Sequence, residues 1–114
     1  MRPHTPELNK RRQQPAVVML ELPGEQGIGR GLRHFVCPVE DAFQNGLCVM
    51  MPRPLRRGMR VVVRARLARD LLVRLVAEVR WVDQDRDGYW AGLRLLNKRQ
   101  NDVVCWNQAI WGQV

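Results

Sequence analysis

The sequence predicts an all-β domain: a small six-stranded antiparallel β-barrel with one C-terminal α-helix. About six segments of strand length are separated by turn-forming residues, and the clearest of them alternate apolar and charged side chains with a period of two. Near the C-terminus the apolar spacing changes to a helical period. The chain has 114 residues, which is enough for one domain built on one core.

The first part of the chain combines a polar arm with two strands. Residues 1–9 hold two prolines and little that a core could bury, so we expect a disordered arm, with the folded domain spanning residues 10–114. Pro15 lacks an N–H and suits the first residue of a strand, which predicts a strand over residues 16–22. A Pro-Gly turn follows, and then a second strand over residues 28–37 that is loosened by glycine.

A polar turn in the middle of the chain leads directly into an apolar strand. Asp41 is able to accept hydrogen bonds from backbone amides just ahead of it, and Asn45 and Gly46 both tolerate positive φ. Residues 47–51 predict the next strand, which two prolines end. Three of its side chains are expected to point inward: Leu47, Val49 and Met51.

Three further strands show the period-two alternation most clearly. Residues 59–67 place apolar side chains on one face and arginines on the other, and residues 71–81 repeat the pattern after a tight turn. An acidic hairpin loop over residues 83–88 leads into the last strand, over residues 89–96. The side chains expected to face inward are Met59, Val61, Val63, Ala65 and Leu67, then Leu71, Val73, Leu75, Ala77, Val79 and Trp81, then Ala91, Leu93 and Leu95.

The C-terminal segment predicts a helix over residues 98–113, with Asn97 as its N-cap. Asn107 and Gln108 fall on its polar side. Its apolar side consists of Val103, Trp106, Ile110 and Trp111. We expect the tryptophans to pack on the barrel or on a partner.

The charge balance favours an anionic partner. Seventeen Arg and two Lys stand against eleven acidic residues, for a formal net charge of +8. A nucleotide, a nucleic acid, an anionic membrane or an acidic protein face would suit this charge. A GC-rich genome accounts equally well for most single arginines, because it encodes Arg where other genomes encode Lys.

The sequence favours a binding domain over an enzyme. Serine is absent, and the two histidines and three widely spaced cysteines assemble neither a nucleophile with a base nor a zinc site. Residues 83–88 resemble the start of a calcium loop, but Arg94 stands where that loop needs a bidentate Glu. We therefore expect no catalytic residue, no metal and no cofactor.

The N-terminus lacks the apolar core of a signal peptide, and no apolar segment approaches the ~20 residues that span a bilayer. The odd number of cysteines gives no disulfide framework, and Cys48 and Cys105 fit small core positions. These features predict a protein of the reducing cytoplasm.

Arg11-Arg12-Gln13-Gln14-Pro15-Ala16-Val17 leads into the first strand, and Asp41-Ala42-Phe43-Gln44-Asn45-Gly46 leads into a later one. These two short motifs resemble those of the PilZ domain family. Residues 11–17 are similar to the family's Arg-Arg-x-x-Pro-Arg-Val motif, with Arg12 at the first motif arginine and Ala16 in place of the second. Residues 41–46 match the family's second motif, Asp/Asn-x-Ser-x-x-Gly, at both ends, while Phe43 replaces its serine. Residues 78–96 also resemble the closing hairpin of the family, and the resemblance runs from about residue 10 to residue 112.

The resemblance implies a six-stranded PilZ-like barrel that binds cyclic di-GMP and passes the signal to a protein partner in motility, pilus or exopolysaccharide control. It implies that Arg11 and Arg12 bind phosphates and guanine edges, and that the motif of Asp41 and Gly46 contacts a base. Because Ala16 lacks a guanidinium and Phe43 lacks a hydroxyl, we expect cyclic di-GMP binding that is weak or absent. The basic arm from residue 10 should lie beside the turn that ends at Gly46, forming one anion-attracting corner.

Two alternative functions stay open. A PilZ-like module that has lost the ligand would act by protein contact alone, which the four tryptophans favour. A basic small barrel that binds nucleic acid fits the net charge but would need aromatic side chains exposed on a strand face. The aromatic candidates are expected mostly to alternate inward or lie in turns: Phe35, Phe43, Trp81, Tyr89 and Trp90.

Overall fold

The computed structural model describes residues 15–23 and 33–111, and it confirms the predicted six-stranded antiparallel barrel with a C-terminal helix. The expected arm over residues 1–9, and the part of the second predicted strand before residue 33, lie outside the described residues. One turn of 3-10 helix, Ala68–Asp70, joins the fourth and fifth strands. The strands are β1 (Val17–Leu22), β2 (Arg33–Phe43), β3 (Gly46–Met51), β4 (Arg60–Leu67), β5 (Leu71–Asp85) and β6 (Gly88–Leu95), and the helix is α1 (Asn101–Trp111).

The strands close into a barrel in the order β1-β2-β3-β6-β5-β4, and β4 returns to β1. Every pairing is antiparallel. The seam between β1 and β4 is the shortest ladder, because it runs only from Met19↔Arg64 to Glu21↔Val62. The β4–β5 ladder, by contrast, continues over the whole of β4. The barrel is therefore less tightly closed at the seam than elsewhere.

The core fills the barrel with most of the side chains that the period-two pattern placed inward. On β3, Leu47, Val49 and Met51 are fully buried, as predicted. All three cysteines are free; Cys37 and Cys48 are buried, and burial raises the pKa of the Cys37 thiol to about 11. Cys105 is only half-buried and packs against the core. These thiols act as small packing groups.

Helix α1 closes the end of the barrel at which β2 ends and β5 begins. Val103, Trp106 and Ile110 are buried there, as the helical spacing predicted. The Trp106 indole donates a hydrogen bond from Nε1 to the backbone carbonyl of Phe43 (3.2 Å), and the Asp102 carboxylate accepts one from the Arg74 amide (2.9 Å). The helix is thus fixed to two strands on opposite sides of the opening.

The start of α1 differs from the prediction. Asn97 has φ of 58° and lies four residues before the helix, so it is not the N-cap. Its carbonyl instead accepts a hydrogen bond from the Gln100 amide (2.8 Å), and the Gln100 carbonyl accepts one from Val104 (3.0 Å). Asparagine tolerates the left-handed region, and here it forms a turn before the helix.

Strand β5 departs from strict alternation at a β-bulge. Val79 pairs with Leu93, but Trp81 pairs with Gly92, so one extra residue is inserted. The prediction that Trp81 points inward is therefore wrong, and its side chain is 42% exposed. Leu71, at the first position of the strand, is also exposed. The hairpin turn is shorter than expected, because β5 continues to Asp85 and β6 begins at Gly88.

A buried carboxylate should make stability depend on acidic pH. Glu21 is buried on β1, and Arg64 Nε donates a hydrogen bond to it across the seam. This hydrogen bond holds the pKa of Glu21 below its ordinary value of 4.5. Because the folded pKa is lowered, the stabilisation is present above pH 4.5 and is lost as the pH falls through the folded value.

The free energy of unfolding, measured by urea titration between neutral and acidic pH, tests this point. We expect Arg64→Gln to flatten the acid limb relative to the native chain, whereas Arg57→Gln, on an exposed loop, should leave it unchanged. Equal acid limbs in all three chains would show that the pair does not set this dependence.

Candidate functional site

The two described residues of the predicted ligand site lie on one hairpin. Asp41 belongs to β2, which continues to Phe43, so the expected longer turn shrinks to Gln44 and Asn45. The Asp41 carboxylate is exposed and accepts a hydrogen bond from the adjacent Ala42 amide (2.9 Å). Gly46 is buried and pairs with Phe43. Arg11 and Arg12 lie outside the described residues.

The chain reaches the barrel beside this hairpin. The backbone carbonyl of Ala16 accepts a hydrogen bond from the Val39 amide (2.9 Å). A β-bulge between Val39 and Asp41 then shifts the register of β2. The family motif has its second arginine at position 16. This position lies beside Val39 of β2, and Val39 is two residues before Asp41 on that strand. Ala16 itself is exposed and brings no charge to this corner.

The Phe43 ring lies directly across Gly46. A Cβ at Gly46 would stand 2.5 Å from Phe43 Cε1 and 2.8 Å from the Leu93 carbonyl oxygen, so only glycine fits there. Gly46 has ordinary strand backbone, and the positive φ occurs at Asn45 alone in this turn (63°). The glycine is thus required by close packing rather than by φ. The ring remains 43% exposed on the outer face of the sheet.

A second aromatic ring covers a second glycine on the same outer face. A Cβ at Gly92 would collide with the Trp81 indole, so the indole packs directly against the backbone of β6. Gly92 pairs with Cys48 and Arg94 pairs with Gly46, so the two rings lie on neighbouring rows of the sheet. Aromatic side chains commonly shield strand glycines in this way.

These rings border a groove of about 280 Å³ that also carries positive charge. We call it the aromatic–basic groove, and its aromatic and basic residues are Phe43, Arg80, Trp81, Arg94 and Lys98. Arg80 forms a weak ion pair with Glu78 (3.6 Å), and both arginines and the lysine are exposed. Flat rings beside cations suit a ligand that combines an aromatic ring with an anion.

Four residues of this groove, Arg80, Trp81, Arg94 and Lys98, were not expected from the sequence to belong to the site. Only the bulge in β5 turns Trp81 outward, and only the strand register brings it beside Gly92. The expectation that the aromatic candidates mostly point inward or lie in turns is therefore wrong for Phe43 and Trp81. The other three aromatic candidates, Phe35, Tyr89 and Trp90, are half-buried.

The turn of the site is fixed from the helix. Asn107 accepts a hydrogen bond from the Asn45 amide (2.8 Å) and donates one from Nδ2 to the Asn45 side-chain oxygen (2.9 Å). Asn107 therefore faces the barrel, and its expected place on the polar side of α1 is wrong. Both groups of one side-chain amide are used to hold the positive-φ residue.

Removing this clamp should destabilise the fold. We expect Asn107→Ala to lower the free energy of unfolding by about 1–3 kcal/mol, because it leaves a partly buried amide and side-chain oxygen without partners. Urea unfolding measures the change, and Gln108→Ala, on the exposed side of the same helix, is the control. An equal effect of the two substitutions would contradict the role given to Asn107.

Within the described part of the chain, no helix has the length and apolar character needed to cross a membrane. Neither the curated proteins nor the solved structures contain a match to this sequence. The family model described as PilZ domain does match, over residues 9–107, which is most of the chain and includes both motifs and the hairpin that carries the aromatic–basic groove. The barrel with its terminal helix agrees with that match, and the chain belongs to the PilZ domain family.

Proposed function

We propose that this chain is a cytoplasmic adaptor in bacterial cyclic di-GMP signalling that binds the dinucleotide weakly or not at all and acts through a protein partner. Membership of the PilZ family implies an adaptor related to cyclic di-GMP, and PilZ domains are binding or adaptor modules rather than enzymes. Motility, pili or exopolysaccharide production would be the process controlled. Residual binding would use Arg11, Arg12, Asp41 and Gly46.

The position of the Phe43 ring carries the proposal. The family motif has a small hydroxyl side chain where this chain has Phe43, and the ring occupies the outer face over Gly46. A base that approached Asp41 along this face would meet the ring rather than a hydrogen-bonding group. Phe43 therefore removes the hydroxyl that would bond the base, and its ring fills the space that the base would occupy.

The absence of a guanidinium at position 16 adds to this effect. A hydrogen bond to a charged group contributes roughly 1.5–3 kcal/mol, so its loss weakens binding by about ten- to a hundredfold. The exposed side chain of Ala16 stands beside β2, where an arginine could reach a ligand lying over Asp41.

Titration calorimetry of the intact chain with cyclic di-GMP tests the proposal. We expect either no heat of binding or a dissociation constant well above the micromolar range. If weak binding is measured, Arg12→Ala should abolish it and Arg57→Ala, an exposed arginine of the basic loop, should not. A submicromolar dissociation constant for the native chain would contradict the proposal.

Loss of the ligand with retention of protein contact is the close alternative. The tryptophans support this alternative unequally. Trp106 is fully buried, whereas Trp81 is exposed. Of the tryptophans near the C-terminus, Trp106 thus serves the core. Trp81 offers an aromatic contact surface on the barrel.

The aromatic–basic groove favours one further candidate, the binding of single-stranded nucleic acid. Two exposed rings on a strand face, flanked by cations, are the arrangement on which bases stack while phosphates are neutralised. Fluorescence anisotropy with a labelled random-sequence DNA strand tests it. This candidate requires binding that weakens steeply with salt and is lost in Trp81→Ala but kept in Arg57→Gln. Absence of such binding would remove it.

A further inference from the structure

A second groove lies on the outer surface around the seam between β1 and β4, and Val17, the last residue of the first motif, is one of its lining residues. Its volume is about 450 Å³, and most of its surface is apolar. Four apolar side chains line it where a solvent-facing sheet surface would ordinarily be polar: Val17, Met19, Val36 and Leu72. Val36 is 70% exposed and Leu72 is 65% exposed. Clustered exposure of this kind marks an interaction surface.

The barrel wall itself opens at this groove. The β1–β4 ladder stops at Met19↔Arg64, so Val17 and Val18 pair with β2 but not with β4. Residues 65–67 of β4 likewise pair with β5 but not with β1. The surface is therefore a cleft between two diverging strands, and its apolar side chains line a concavity.

The rim of the groove is positively charged. It is formed by Arg64, Arg66 and Arg74, and the carboxylate of Asp102 also lines the groove. Asp102 is engaged by the Arg74 backbone amide, and Glu21 is engaged by Arg64. The Arg74 guanidinium forms no salt bridge with any carboxylate in residues 15–23 and 33–111. Arg66 forms an ion pair with Asp70, in an exposed position that holds it weakly.

We propose that this arginine-rimmed groove binds a segment of a partner protein that carries apolar side chains flanked by Asp or Glu. The apolar floor supplies burial, and the arginines select carboxylates at the edges. The inference rests on the proposed function in one respect: it names the surface and the chemistry by which the adaptor meets its protein partner.

Charge and shape disfavour the other occupants. A second copy of the chain would bring a net charge of +8 and the same three arginines to the groove. The chain's own N-terminal segment carries Lys10, Arg11 and Arg12, which the rim repels. An anionic membrane matches the charge but not the shape, because apolar groups that enter a bilayer surface must protrude.

Peptide selection followed by calorimetry tests the proposal. The native chain would be used to select from a displayed library of random short peptides, and the strongest binder would be synthesised. We expect enriched peptides that combine aliphatic residues with Asp or Glu. Their affinity should fall at least about tenfold in the double variant Val36→Ser/Leu72→Ser, which keeps the net charge, and severalfold in Arg74→Gln.

Matched controls distinguish binding in the groove from non-specific binding elsewhere on the surface. Val104→Ser removes an exposed apolar side chain of α1, and Arg57→Gln removes an exposed charge; neither should change peptide affinity. Failure to enrich acidic peptides, or equal binding by the groove variants, would overturn the proposal. So would a groove-dependent dimer in sedimentation equilibrium, or groove-dependent binding to phosphatidylglycerol vesicles in place of peptides.

Cyclic di-GMP calorimetry on the same Val36→Ser/Leu72→Ser chain distinguishes the two proposals. Neither Val36 nor Leu72 belongs to a motif of the ligand site, and neither pairs with Asp41 or Gly46, so the nucleotide result should match that of the native chain. A failed peptide test with weak nucleotide binding would remove the groove and leave the proposed function standing. Tight nucleotide binding together with a successful peptide test would remove the proposed function and leave the groove.

Discussion

Restoring both family side chains, with Ala16→Arg and Phe43→Ser in one chain, should raise the affinity for cyclic di-GMP by about a hundredfold or more. The arginine adds a charge-assisted bond at a position that the Ala16–Val39 hydrogen bond already holds beside β2. The serine removes the ring that lies across Gly46 and supplies a hydroxyl in its place. Titration calorimetry of the double variant against the native chain measures the gain.

The single variants separate the gain due to the added guanidinium from the gain due to removal of the ring. If the ring is the main obstacle, Ala16→Arg alone should gain little and Phe43→Ser alone should gain more. Gln108→Arg is the charge-matched control, because it adds an arginine on the exposed side of α1. An unchanged affinity in the double variant, with its melting temperature preserved, would refute the explanation given for weak binding.

Replacing Trp106 by alanine should produce the largest loss of stability of any substitution considered, about 3–5 kcal/mol. Trp106 is completely buried and is the largest such side chain in the described core. Its removal leaves a cavity at the junction of α1 and the barrel and deprives the Phe43 carbonyl of its indole donor. Urea unfolding followed by circular dichroism measures the change.

Trp106→Phe separates the two contributions. It keeps most of the buried ring but leaves the Phe43 carbonyl without its partner, so a loss of about 1–3 kcal/mol is expected. Val104→Ala, at an exposed position of the same helix, should change stability by no more than about 0.5 kcal/mol. Losses of similar size in Trp106→Ala and Val104→Ala would mean that α1 does not close the barrel as described.

Local pattern predicted the strands well where one face is buried and the other is solvated. In β4 and β6 the alternation of side chains gave the inward face correctly, because a period of two is an intrinsic property of extended backbone. It failed at Trp81, where the inserted residue of the β5 bulge reverses the phase. A bulge depends on how two strands pair, and no local sequence signal marks this one.

The residues of the candidate site likewise divide into those that the local sequence predicts and those that strand pairing brings together. Asp41 and Gly46 could be found from a motif, and Asn45 from its preference for turns. Arg80, Trp81, Arg94 and Lys98 could not, because their proximity to Phe43 follows from the register between β3, β6 and β5. The clamp from Asn107 to Asn45 joins residues 62 positions apart, and helical periodicity alone placed Asn107 on the wrong side.

The sequence by itself determined the class of fold, the inward faces of most strands, three buried side chains of the helix and the family, since each depends on residue types at short, regular spacings. Only the tertiary structure decided which outward-facing side chains lie together: the rings over Gly46 and Gly92, and the apolar groove at the incomplete β1–β4 seam. The physical reason is that strand register and barrel closure minimise the energy of the whole sheet. Neighbours across strands are therefore set by contacts that no single stretch of the chain encodes.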